Sequence, residues 1–160
     1  MLSTATLKSG LEALEATGDE AVAIQRLAIA YEDYMNDAMS NGLSVLPGSM
    51  LLTPFNNMKT AMVGIGDFNT TAAATKLAAG LTAFWAAMSA APATIFTGAT
   101  AITPPVTLAT VGTGIQAAFD ANVAAGKGLS DAAQALADAI SVGSLGGTAT
   151  FPGPIVSPIS

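Results

Sequence analysis

Residues 43–160 carry only seven charges, on Lys59, Asp67, Lys76, Asp120, Lys127, Asp131 and Asp138, whereas the first 42 residues carry nine. A surface that faces water is normally dense in charge, so much of this segment must be covered, either by lipid or by protein. Alanine limits what can cover it from within. The chain has 34 Ala and only nine Phe, Tyr and Trp among 160 residues. Alanine favours helix and close backbone approach but buries little area per residue, so the core is thin and depends on tight packing or on neighbours. We expect a mainly α fold: an Ala-rich helical domain of about four to six helices over residues 1–142, with an extended C-terminal arm over 143–160. At this length one domain is the natural division.

Composition also excludes several functions. Net charge is −6, and five scattered Lys and Arg cannot form a stripe that follows phosphates, so no nucleic-acid partner is expected. Cysteine and histidine are both absent. The usual general base, thiolate chemistry, disulfides and the softest metal ligands are therefore missing, and we expect neither enzymatic activity nor a cofactor or metal. Residues 1–14 contain Lys8 and Glu12 with Ser and Thr between apolar positions, which does not read as a secretory signal peptide.

Residues 77–96 are uncharged, which raises the membrane question. Leu77, Leu81, Phe84, Trp85 and Met88 fall at i, i+4, i+7, i+8 and i+11, a single stripe with Ala, Thr and Gly elsewhere, and Pro92 interrupts the span. A lipid-facing helix would be apolar all round, so a buried helix fits better and a membrane partner is not favoured. The same spacing makes Trp85 a core anchor rather than a ligand-stacking residue.

Helical spacing and capping chemistry predict helices over 3–16, from an Asp19 N-cap to a stop at Asn41-Gly42, over 55–63, from Asn69 or Thr70 to about Ala90, over 112–125, and from a Ser130 cap to about Val142. Pro47-Gly48 and Pro54 mark 43–54 as an extended connector. Residues 93–111 place Ile95, Phe96, Ile102, Val106, Leu108 and Val111 among threonines with Pro104-Pro105 between them, which predicts two short strands or an extended arm. Residues 143–160 have no charge, yet they carry Leu145, Phe151, Ile155, Val156 and Ile159. Such a tail should lie against this domain or a neighbouring copy.

Candidate sites read as structure. Gly126-Lys127-Gly128 lacks the earlier Gly and the following Ser or Thr of a phosphate-binding loop, having Ala121 and Gly128 there. Gly64-Ile65-Gly66 has Asn69 where a dinucleotide fingerprint needs its third Gly. Both read as turns. Glu32, Asp33 and Asp37 could hold a hard cation, but they also suit the wet face of an amphipathic helix, which we prefer.

This combination resembles the small structural proteins of tailed bacteriophage virions, in the head-to-tail connector, tail or baseplate. The resemblance lies in an Ala/Thr/Gly-rich helical domain without Cys or His, Pro-containing extended segments and an uncharged arm over 148–160. It implies a non-enzymatic subunit assembled in the host cytoplasm into a virion, with copies of itself and other structural proteins of the particle as partners. The competing expectations are a membrane-acting pore former that inserts 77–96, and a secreted filament or surface subunit. Intersubunit contacts are expected at Ile95, Phe96, Ile102, Pro104, Pro105, Val106, Phe151, Pro152, Ile155, Val156 and Ile159. Deletion of 144–160 is expected to reduce assembly while leaving the helices folded.

Overall fold

The computed structural model describes residues 2–13, 19–46, 51–67, 70–153 and 155–160. Its helices are α1 (Thr4–Glu12), α2 (Glu20–Asn36), α3 (Leu52–Met62), α4 (Thr71–Ala90), the single turn α5 (Pro92–Ile95), α6 (Val111–Ala125) and α7 (Leu129–Ser144). The strands are β1 (Met39–Ser40), β2 (Leu43–Ser44), β3 (Ala101–Thr103), β4 (Thr148–Phe151) and β5 (Ile155–Pro158). The mainly α expectation holds, and α5 is the helix it omitted: Pro92 does not merely end α4, it occupies the first position of a new turn, where its missing N–H costs nothing.

The starts of α2 and α4 follow their expected caps. The Asp19 carboxylate accepts from the Ala21 N–H at 2.9 Å, and Thr70 Oγ1 accepts from the Ala73 N–H at 3.1 Å while donating to the Asp67 carbonyl. Asn69 lies outside the described residues. Ser130 is not a cap. α7 starts two residues earlier than a Ser130 cap would place it, at Leu129 behind Gly128, and the Ser130 hydroxyl instead serves the Glu12 carboxylate of α1. Gly126, with φ of 56°, closes α6 as a left-handed cap, and Gly64 and Gly66 likewise adopt positive φ, so both glycine motifs are turns.

α3 and α4 pack as one helical pair, α6 and α7 as another, and α1 lies against both α2 and α7. The stripe expected on α4 is the centre of the core: Leu77, Leu81, Phe84, Trp85 and Met88 have no exposed surface. Among the described residues no helix is long and apolar enough to cross a membrane.

Four expectations for the connecting segments are revised. α2 ends at Asn36, and Asn41-Gly42, with φ of 53° and 73°, forms a two-residue turn pairing Ser40 with Leu43. Of the described residues in the connector 43–54, Leu43–Ser44 form β2 and residues 52–54 already belong to α3, with Pro54 in its first turn, where it is tolerated. Residues 47–50 lie outside the description. The arm 143–160 is no simple extended tail. α7 runs on to Ser144, and β4 and β5 then form an antiparallel hairpin that β3 completes, in the order β3-β4-β5. Within 93–111 there is a single strand, β3, followed by a 3₁₀ turn at Val106–Thr110.

Candidate interaction surface

The C-terminal sheet is rooted in a buried polar relay. Ser144 Oγ, on the last residue of α7, donates to the Ile140 carbonyl at 2.9 Å, so its oxygen is left to accept from the Tyr31 hydroxyl at 2.7 Å. The Tyr31 oxygen in turn accepts from Trp85 Nε1 at 2.9 Å. Each donor is used once, and the relay links α4, α2 and α7 at one point. Burial drives the Tyr31 hydroxyl well above its ordinary pKa, against the opposing hydrogen bonds from Ser144 and Trp85. The Phe84 ring meets Tyr31 edge-on with centroids 4.9 Å apart.

Beyond Ser144 the chain must turn against the Trp85 ring, and this decides where glycine stands. A Cβ on Gly147 would lie 2.6 Å from Trp85 Cη2, so only glycine lets the backbone pass. The strand faces then alternate. Ile102, Ala149 and Phe151 point into the core, while Ala101, Thr103, Thr148 and Thr150 form an uncharged outer face. Val156 pairs with Thr150 and lies on that same face.

Backbone bonds stitch this sheet to the β1–β2 hairpin. Met39 and Ser160 exchange N–H···O bonds of 2.9 and 3.0 Å, the Asn41 N–H reaches Ser157 Oγ at 2.8 Å, and Ser40 Oγ donates to the Ser157 carbonyl. Pro158 supplies no N–H to the outer edge of β5 and so shortens the edge available to another strand.

The expected contact residues divide in two. Ile95, Phe96, Ile102, Pro105, Phe151 and Ile159 are buried within this chain, so their apolar surface is already covered. Val106, Pro152, Ile155 and Val156 are exposed and Pro104 is half-buried. Val106 is 89% exposed, Val156 62% and Ile155 47%. Val142 is an exposed residue the sequence reading missed, and Leu145, expected only as part of the apolar tail, is exposed too; they stand at the end of α7 with 59% and 49% of their surface open. The turn that carries Val106 is tied to this end of α7, because Thr107 Oγ1 shares its proton between the carbonyls of Gly143 and Leu145, at 3.3 and 3.2 Å. The available signal was the α7 stripe itself, which leaves Val142 on the side opposite Ile140.

Elsewhere, the helix grooves hold modest polar chemistry. A groove of about 430 Å³ between α4 and α6 is lined mainly by Thr, Ala and Gly, and its Gln116 Nε2 donates to Asp120 Oδ1 at 2.7 Å. The acidic cluster on α2 does not converge: Asp37 lies past the helix end, and among the described residues no three acidic side chains are placed to hold a metal. Burial, and then the neighbouring Asp33 charge, raise the Glu32 pKa above the usual carboxylate range. Glu12 is held below that range, first by the Ser130 hydroxyl and also by Lys8, whose ammonium is 3.5 Å away. No known protein family, curated protein or solved structure matches the chain.

Proposed function

We propose that this chain is a non-enzymatic structural subunit of a multi-copy assembly, of the kind built into bacteriophage connectors, tails or baseplates. The observation that carries this reading is the exposure of Val106, Val142 and Leu145 on the two segments that Thr107 ties together at the root of the C-terminal sheet, with Asp138 the charged residue lining the adjoining groove. Thirteen large apolar side chains are exposed among the described residues, and ten of them fall in the charge-poor part of the chain. Single exposed apolar residues are ordinary on a monomer, but ten in a segment that carries only seven charges suit contact with a neighbour. Such contacts avoid the desolvation cost of buried charge, and repetition by symmetry lets a small domain cover much of its surface.

The deletion expected to spare the helices no longer serves as a test, because residues 144–160 contribute Ser144, Ala149, Phe151 and Ile159 to the core. Single charges on the patch are cleaner. In V106K and V142K the unfolding midpoint should stay close to that of the parent, while sedimentation velocity should show the assembled species reduced at least tenfold. Undiminished assembly in both variants would remove the patch from the account.

A further inference from the structure

We infer that residues 145–160 form a strap that is exchanged between copies, so that the β4–β5 hairpin of one chain completes the β3 edge and the β1 edge of the next. This rests on the reading of the chain as a subunit of an assembly and gives that reading a mechanism. The strap is a separable unit. It leaves α7 through Leu145 and Gly146, and Gly146 has φ of 88° with no atom near the position of a Cβ. A glycine there can pass to an extended conformation with no side chain to obstruct it, which is what a hinge between closed and exchanged forms requires.

The strap docks on its own chain through surfaces that a second copy would offer identically. β4 pairs with β3 through Ala101↔Thr150, Ile102↔Ala149 and Thr103↔Thr148. Ile159 and Phe151 are buried, Gly147 lies against Trp85, and Ser160 bonds reciprocally with Met39. Exchange preserves each of these contacts between two chains and adds only what forms at the crossing. The strap carries no charge that a new neighbour would have to match.

A second observation concerns the hinge itself. In the closed form Val142 and Leu145 are exposed beside it, and Thr107, bonded to the Gly143 and Leu145 carbonyls, ties the turn bearing the exposed Val106 to the same end of α7. Apolar side chains exposed near the point where two exchanged straps would cross provide surface that the crossing buries. This also accounts for the mixture of buried and exposed positions among the residues expected at contacts: Phe151 and Ile159 would be buried against the neighbour, not against their own chain.

The absence of cysteine makes the test clean. Residues directly opposite in an antiparallel pair have Cα atoms about 5 Å apart, within disulfide reach. The double variant Ala101→Cys/Thr150→Cys is assembled under reducing conditions, oxidised, and run on a non-reducing denaturing gel. Exchange predicts that most of the protein runs as covalent dimers and longer ladders, which collapse to one chain on reduction. Thr103→Cys/Thr148→Cys repeats the measurement one pair along, so a folding failure in either variant leaves the other to decide. If the protein assembles but the crosslink stays within single chains, exchange is overturned while the assembly reading survives. If the parent chain does not assemble at all, both fall together.

Discussion

Tyr31 is the residue on which the interior depends most, because its hydroxyl is both acceptor for Trp85 and donor to Ser144. Tyr31→Phe keeps the ring and its Phe84 contact but leaves the buried Trp85 N–H without a partner. We expect a loss of about 1–3 kcal/mol at neutral pH, read from urea unfolding. The pH dependence follows from the sign of the shift. Native Tyr31 holds its proton, whereas the unfolded side chain releases it near pH 10, so stability falls as pH rises above about 10. The phenylalanine variant has no such proton to lose, and its deficit should narrow in alkali. Glu32 gives a second test in the acid range. Its raised pKa means that the native state binds the proton more tightly than the unfolded state, so its contribution to stability is best at low pH and declines as pH rises through the carboxylate range. Glu32→Gln should therefore raise the unfolding midpoint at pH 7, with the difference closing near pH 3.

At the scale of elements, close helix approach substitutes for large side chains in an alanine-rich core. Gly10 of α1 faces Ala30 of α2 so closely that an added Cβ would overlap both the Ala30 side chain and its backbone. Gly10→Ala should cost about 1–3 kcal/mol in denaturant unfolding, since backbone must shift to admit the methyl group. A gain in stability would mean that the two helices are free to separate. Such approaches explain which elements could be read in advance. α2 and α4 were legible because Asp19 and Thr70 cap them and their apolar stripes repeat at helical spacing. The α7 start was misread because Ser130 is a good cap by type, yet its hydroxyl is engaged by Glu12 on a helix more than a hundred residues away in sequence. The C-terminal hairpin had a local signal in Pro152-Gly153 between two β-prone runs. Its partner strand β3, some fifty residues earlier, was expected only as one of two short strands or an arm within 93–111, and three residues, Ala101-Ile102-Thr103, are too short to show which strand they pair with.

At the scale of the molecule, the sparse charge acquires a location. The large apolar stripe of α4 is covered by the chain itself, so the segment that first raised the question of lipid is the core of the fold. Among the apolar residues left exposed in the charge-poor segment, Ile155 and Val156 lie on the C-terminal sheet, Val142 and Leu145 at the end of α7, and Val106 on the turn before α6. That part of the candidate surface was only half legible. Sequence could mark apolar residues in uncharged segments, but only the packing decides that Phe151 and Ile159 turn inward while Val106 and Val156 do not. The central claim is that this surface brings copies together. Light scattering of the purified chain over a concentration series tests it most directly. The account predicts a defined mass that is a multiple of 15.8 kDa, with rings or stacks in negative stain; a mass of 15.8 kDa throughout would contradict it.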